Sequence, residues 1–282
     1  MQRKELFEFE DQNWFPSWLR ACLTRLIIVL QNGMGIPKVL AGELEGFLLV
    51  LGENTLVDLG SGAGGILPQV VEMIHGKKTI KGIQLLLTDK YPDPMVVQRT
   101  NTDNNGWVRY KRERLDAEDL ALAPKGLKTM MNSFHHMEPT KAQNILASAQ
   151  KSHNAIYIYE MAGGKVKVPF WAWVFLLPLS LTLLMVMVLF MTPFVSPLTW
   201  QQVVFTYLIP IIPITYAWDG QASLPRMYTF ADLEAILPEK TAHYQWEYGN
   251  VTNENGKKMG IFLKGCPMNT HKNNTHGNSR KD

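Results

Sequence analysis

The sequence predicts an α/β fold: a doubly wound sheet, mostly parallel, with an antiparallel C-terminal hairpin strand and a two-helix hydrophobic insertion. Three observations carry this reading. Between residues 55 and 160, short apolar runs alternate with helix-period segments, the pattern of a parallel sheet covered on both faces. Near the C-terminus two strand-like runs flank the turn at 253–256, so at least one strand runs antiparallel. Between these regions, residues 168–218 contain no Asp, Glu, Lys, Arg or His.

The bulk properties narrow the class. A chain of 282 residues suits one large domain, or one domain with an insertion. Its net charge of +3, with no basic stripe among aromatics, argues against nucleic acid as a partner. Cys22 and Cys266 are the only cysteines, far apart, and form neither a disulfide framework nor a zinc site. No metal is expected, and a reducing compartment is. The opening MQRKELFEFEDQNWFP is acidic and aromatic and lacks the apolar core of a secretory signal. The sequons at Asn250 and Asn273 therefore read as chance matches.

The elements follow in order. Leu19, Leu23, Leu26, Ile27 and Leu30 keep a helical period within an amphipathic helix at 14–30. Gly33 and Gly35 are expected to end it, with Pro37 opening a second helix at 39–51. The aromatics Phe7, Phe9, Trp14, Phe15 and Trp18 read as a packed edge of the core, or alternatively as a lid. Strands are predicted at 55–58, 84–88, 128–132 and 155–160, with a weaker, highly charged one at 109–115. Helices are predicted at 66–75, from 94, and at 139–151.

A soluble helix needs a polar face, and the charge-free run has none. It is long enough for two bilayer passes of roughly 20 residues each, at 169–191 and 195–217. Lys165 and Lys167 precede it, Arg226 follows, and Trp171, Trp173, Trp200 and Trp218 lie near the expected ends. Pro178, Pro210 and Pro213 fall inside the passes, so a re-entrant hairpin or a buried apolar pair are the alternatives. Beyond it, Thr229 caps a helix at 230–236 with Asp232 at its third position, and strands follow at 243–251 and 258–263. The tail from Met268, with His271 and His276, reads as disordered.

The chemistry concentrates in the turn after the first strand. Gly60-Ser61-Gly62-Ala63-Gly64-Gly65 matches the dinucleotide fingerprint G-x-G-x-x-G, and equally G-x-G-x-G with an acid two positions before it. A carboxylate at Asp58 is of little use to a pyrophosphate but suits a ligand with a cationic amine. Asp89, ending the second strand, can accept hydrogen bonds from a ribose diol. Asp116, in Leu115-Asp116-Ala117-Glu118-Asp119-Leu120, can accept one from an adenine amine. Asp58 as a strand-end cap and Asp116 as a solvated turn residue are the plainer alternatives.

With these residues together, the chain resembles the class I S-adenosylmethionine-dependent methyltransferases, over about 56–160 and 229–267. Asp58-Leu59-Gly60-Ser61-Gly62-Ala63-Gly64 resembles that family's first motif, Asp89 its second-strand acid, and Asp116-Ala117 its adenine-contacting pair. Asn132-Ser133-Phe134-His135-His136 resembles its segment after the fourth strand, and the closing hairpin its reversed last strand. The resemblance implies a Rossmann-like fold and S-adenosyl-L-methionine as cofactor. It would be held by Asp58, Gly60, Ser61, Gly62, Gly64, Asp89, Asp116, Ala117 and Asn132.

It divides the chain into an N-terminal helical cap (1–54), a cofactor-binding core (55–167), a membrane-embedded hairpin (168–218), the rest of the core (219–267) and a tail (268–282). His135, His136 and Asp219 are the candidates for the chemistry, with Glu160 a further one; Trp218-Asp219-Gly220 and Arg226, which follow the apolar run, are expected to line the mouth of the pocket, and each histidine also has a structural reading. The expected activity is methyl transfer to an apolar or lipid-like small molecule, by a membrane-associated protein with its catalytic domain on the cytoplasmic side. A membrane-tethered binding or scaffold protein and a nicotinamide-dependent oxidoreductase are the rival readings. Methyl acceptor and oligomeric state are not legible.

Overall fold

A computed structural model describes residues 3–102, 106–163 and 169–268. Lys165, Lys167, His271, His276 and the tail from residue 269 lie outside the described residues.

Alternation along the strands sorts the core into two layers. In β1 (Thr55–Leu59), Leu56 joins one layer while Val57 and Leu59 join the other. Strand β5 (Ile156–Glu160) repeats this, with Tyr157 and Tyr159 on the first side and Ile156 and Ile158 on the second. The first layer is closed by α2 (Ile36–Leu51), α3 (Leu67–Lys77) and α4 (Pro94–Thr102). The second is closed by α5 (Pro139–Lys151) and α9 (Phe230–Ile236). Thr229 and Asp232 form a reciprocal capping box that starts α9 where the sequence places it.

The sheet has seven strands. Besides β1 and β5 they are β2 (Gln84–Thr88), β3 (Val108–Tyr110), β4 (Leu127–Met131), β6 (Tyr244–Thr252) and β7 (Lys258–Pro267). Their order is β3-β2-β1-β4-β5-β7-β6. The pairs among β1 to β5 are parallel, and β7 runs antiparallel to both β5 and β6. This Rossmann-like sheet departs from an all-parallel dinucleotide sheet by that one reversed strand.

Three expectations are corrected. The first helix, α1 (Ser17–Met34), starts after Pro16 and runs through Gly33; Gly35, at φ 75°, ends it. The strand expected at 109–115 stops at Tyr110, where the exposed Arg112, Glu113 and Arg114 turn away from the sheet. The insertion is not a pair of helices. Its first leg, α6 (Phe170–Met191), is one 22-residue helix, about 33 Å long at 1.5 Å per residue. The second leg is broken into α7 (Trp200–Tyr207) and α8 (Ile211–Arg226), which meet at 81°. Pro210, which has no N–H to continue the first of these, precedes α8, while Pro213 sits in its first turns, where no N–H is needed.

A third apolar cluster binds this insertion to the N-terminus. Leu19, Cys22, Leu23 and Leu26 of α1 pack with Val188 and Met191 of α6 and Ile212 and Tyr216 of α8. The segment before α1 runs along α8: Lys4 N–H donates to Pro225 O (2.9 Å), and Trp218 Nε1 to Phe7 O (2.8 Å). At its start, α6 meets Lys4, whose Nζ lies 3.7 Å from the Phe170 ring centre. Both ends of α6 therefore touch the cap, while Phe175 (80% exposed) and Phe190 (72%) face outward. Among the described residues this one helix is long and apolar enough to cross a membrane.

Candidate functional site

Parallel pairing brings the ends of β1, β2, β4 and β5 to one edge, where ligands of open α/β sheets bind. The glycine turn is built there on Asp58. Register places Thr129 opposite Asp58, and its hydroxyl donates to Oδ1 (2.9 Å). The Ser61 hydroxyl donates to Oδ2 (2.7 Å) and accepts the Thr88 N–H (3.1 Å). Asp58 is buried, and burial pushes its carboxyl up to about 7 against the pull of these two hydroxyls. In this geometry Asp58 organises the turn.

Gly60, Gly62, Gly64 and Gly65 all have positive φ (71°, 50°, 104° and 55°). Gly62 is held from both sides: its N–H donates to Asp89 Oδ2 (2.9 Å), and its carbonyl accepts the Tyr110 hydroxyl (3.0 Å). Asp89 Oδ1 accepts the Tyr91 N–H (2.8 Å). A carboxylate offers about four lone-pair sites, so this half-buried group keeps acceptor capacity.

Asn132 takes a positive φ of 53° and joins the strand ends, its Oδ1 accepting the Met161 N–H (2.7 Å) and its own N–H reaching Tyr159 O (2.8 Å). Next to it, the buried Ser133 Oγ has no partner among the described residues, and lies 3.9 Å from where a side chain on Gly60 would begin. A buried hydroxyl without a partner costs roughly 1–3 kcal/mol. Beside an open glycine turn, that is a donor suited to a ligand, so the residues present fit a cofactor at this edge.

Asp116 and Ala117 follow β3. Partial burial opposes ionisation of Asp116, but Lys90 Nζ at 2.6 Å and the Glu118 N–H hold its carboxyl below the usual range. Ala117 packs against the second layer. Lys90, Tyr91, Lys111, Arg114, Asp116 and Leu122 line a cavity of about 450 Å³ here.

The histidines sit in a short 3-10 turn, Phe134–His136, directly after Ser133. His135 Nδ1 lies 2.8 Å from Glu160 Oε2, and the His135 N–H donates to Oε1 (3.0 Å). Both residues are buried. A carboxylate only accepts, so Nδ1 is the ring nitrogen that donates to Glu160. His136 meets other partners, with Nδ1 2.8 Å from Asp11 Oδ1 and 3.4 Å from Glu8 Oε2. Arg226 Nη1 lies 3.0 Å from Glu8 and 2.5 Å from Asp11. Burial raises the Glu8 carboxyl, offset by His136 and Arg226, whereas those two partners hold Asp11 low despite its burial.

Asp219 binds the N-terminal segment rather than the sheet edge. Its oxygens accept the N–H groups of Phe9 (2.8 Å) and Glu10 (3.1 Å), and burial pushes its carboxyl up to about 6. Glu8, His135 and His136 also bring ligand-type atoms within 4.8 Å of one another, but the Arg226 guanidinium already supplies a cation there.

Glu8, Asp11, Thr129 and Tyr110 were not singled out in the sequence. Only the acidity of the opening segment pointed toward the first two; register alone supplies Thr129.

No family model matches the chain, and no curated protein matches it. Solved structures do. The plantazolicin methyltransferase BamL, in complex with a triazolic desmethylPZN analog and SAH, is 10% identical over 88% of this chain and 97% of its own, with a TM-score of 0.47. Human N-acetylserotonin methyltransferase in complex with SAM is 12% identical over 85% of this chain and 55% of its own (TM-score 0.46). LepI in complex with SAM is 12% identical over 77% and 43% (TM-score 0.42). The chain thus spans about half the length of the last two.

Proposed function

We propose that this protein is an S-adenosylmethionine-dependent methyltransferase, membrane-associated, acting on an apolar or lipid-like small molecule. One observation carries the reading. A positive-φ glycine turn is flanked by Asp89 and by the Ser133 hydroxyl, which has no partner among the described residues, and two residues beyond Ser133 stands His135, paired with Glu160. Asp89 would hold the ribose diol, Gly60 to Gly64 would admit the amino-acid tail, and the cavity at Asp116 would take the adenine. When bound, the cofactor supplies an electrophilic methyl on a sulfonium that leaves as a neutral thioether.

The chain's own groups then have distinct tasks. Glu160 fixes the His135 ring, and Nε2 takes the proton from the acceptor's O–H or N–H as it becomes a nucleophile. The N-terminal segment and α8 hold the histidine turn after β4 through Arg3, Asp11 and Arg226, and would keep water from it. The acidic series and the reversed β7 weigh against a nicotinamide cofactor. The outward apolar face of α6 supports a membrane-associated protein and an apolar substrate.

Calorimetry with S-adenosylhomocysteine, competed against NAD, tests the cofactor. Binding of the former alone is expected; displacement by NAD would point to the oxidoreductase reading. Metabolite and lipid profiling of cells with and without the protein should show a product heavier by one methyl group.

A further inference from the structure

A second cavity, of about 250 Å³, lies behind the glycine turn, on the side of Leu87. Four parts of the chain that are distant in sequence line it: α1 through Arg25, the turn and start of α3 through Gly65 and Pro68, α4 through Arg99, and the loop after α6 through Pro197. Two guanidiniums therefore face one small space. Neither forms an ion pair with a carboxylate among the described residues. Burial depresses the Arg25 pKa, the Cys22 sulfur that its guanidinium meets at 3.8 Å offsets part of this, and the positive charge of Arg99 depresses it further, so an anion between the two arginines would relieve both lowering effects. The α3 N-terminus, with no acidic residue in its first turn and no side-chain cap, adds its positive dipole end.

The surroundings indicate what kind of anion. Beside Pro197 the surface is apolar and exposed: Phe194 (74%), Leu198 (50%) and Trp200 (66%). We propose that this pocket holds the phosphate of an anionic amphiphile, a membrane phospholipid, clamped by Arg25 and Arg99, with its tails over the apolar insertion. The guanidinium forks match phosphate geometry. The inference uses the membrane association proposed above and is independent of methyl transfer.

The test is co-flotation of the full chain with phosphatidylcholine vesicles, with and without phosphatidylglycerol. The wild type should favour the anionic vesicles. Arg25→Gln/Arg99→Gln should lose roughly fivefold per residue, about 25-fold in all. Lys81→Gln/Lys125→Gln, exposed at the opposite end of the sheet, should lose far less. Arg25→Lys/Arg99→Lys keeps the charge and tests the forks, and an intermediate loss is expected. Equal losses in the two glutamine variants, or no loss in the lysine variant, would reduce the effect to general surface charge and overturn the site.

A parallel arm measures the thermal shift caused by inorganic phosphate without vesicles. An arginine-dependent shift there, with no arginine dependence on vesicles, would reassign the pocket to a soluble phosphate and overturn the lipid. Calorimetry separates this inference from the proposed activity. Unchanged S-adenosylhomocysteine affinity in Arg25→Gln/Arg99→Gln keeps the pocket distinct, while its loss would assign the pocket to the cofactor and overturn the proposal.

Discussion

His135 Nδ1 stands 2.8 Å from Glu160 Oε2, and the second oxygen of the same carboxylate accepts the His135 backbone N–H. One carboxylate at the end of β5 thus fixes both the ring and the main chain of a residue after β4. A general base of this kind contributes roughly 10²- to 10⁴-fold. His135→Ala should lower single-turnover methyl transfer by that factor, with cofactor affinity unchanged. Glu160→Gln should lower it by roughly 10²-fold, because an amide can stabilise the wrong tautomer. A rate unchanged in both variants would leave the pair with a purely structural role.

Asp89 should dominate cofactor affinity. A hydrogen bond to a charged group contributes about 1.5–3 kcal/mol, so Asp89→Ala should weaken S-adenosylhomocysteine binding roughly 10- to 100-fold by calorimetry. His135→Ala should do so much less, and the reverse order would count against the assignment.

Asp58 makes stability depend on pH. Its folded pKa, about 7, lies above the unfolded value of 3.8, so the native state binds the extra proton. This contribution is fully present below about pH 4 and is lost as pH rises through about 7. Asp58→Asn should flatten that part of the melting-temperature profile, by a free energy on the order of 4 kcal/mol.

Arg226 ties the opening segment to α8 and the histidine turn. Arg226→Met removes the cation from the buried Glu8 and from Asp11, and should destabilise by about 3–5 kcal/mol in urea unfolding. Glu8→Gln in the same background should recover part of that loss.

The two faces of the insertion should separate. Phe175→Asp, on the outward face of α6, should shift the protein from the membrane to the soluble fraction at least tenfold without lowering its melting temperature. Leu23→Ala, in the cluster beneath, should destabilise the fold by about 2–5 kcal/mol. If Phe175→Asp unfolds the protein instead, that face is covered by protein rather than lipid.

Much of this was legible in the chain because its causes are local. Alternation at 55–59 and 156–160 specifies which side chains enter which layer, and the run from Gly60 to Gly65 is needed where backbone φ turns positive. The Thr229–Asp232 capping box and the turn before β7 are contained within a few residues each. The sequence by itself therefore determined the sheet, the reversed strand, the acids at its edge and the existence of an apolar insertion.

Only the tertiary structure decided how these are used. Glu8 and Asp11 meet His136 and Arg226 across more than a hundred residues, and nothing local selects such partners, because ion pairing depends on which elements are brought together. Asp58 became an anchor for Ser61 and Thr129 through strand register, and Asp219 an anchor for the N-terminal segment through the path of α8. The charge-free run records that water is disfavoured around it. Which of its faces meets protein was decided by packing against α1, whereas the break of its second leg falls at Pro210, a residue already visible in the chain.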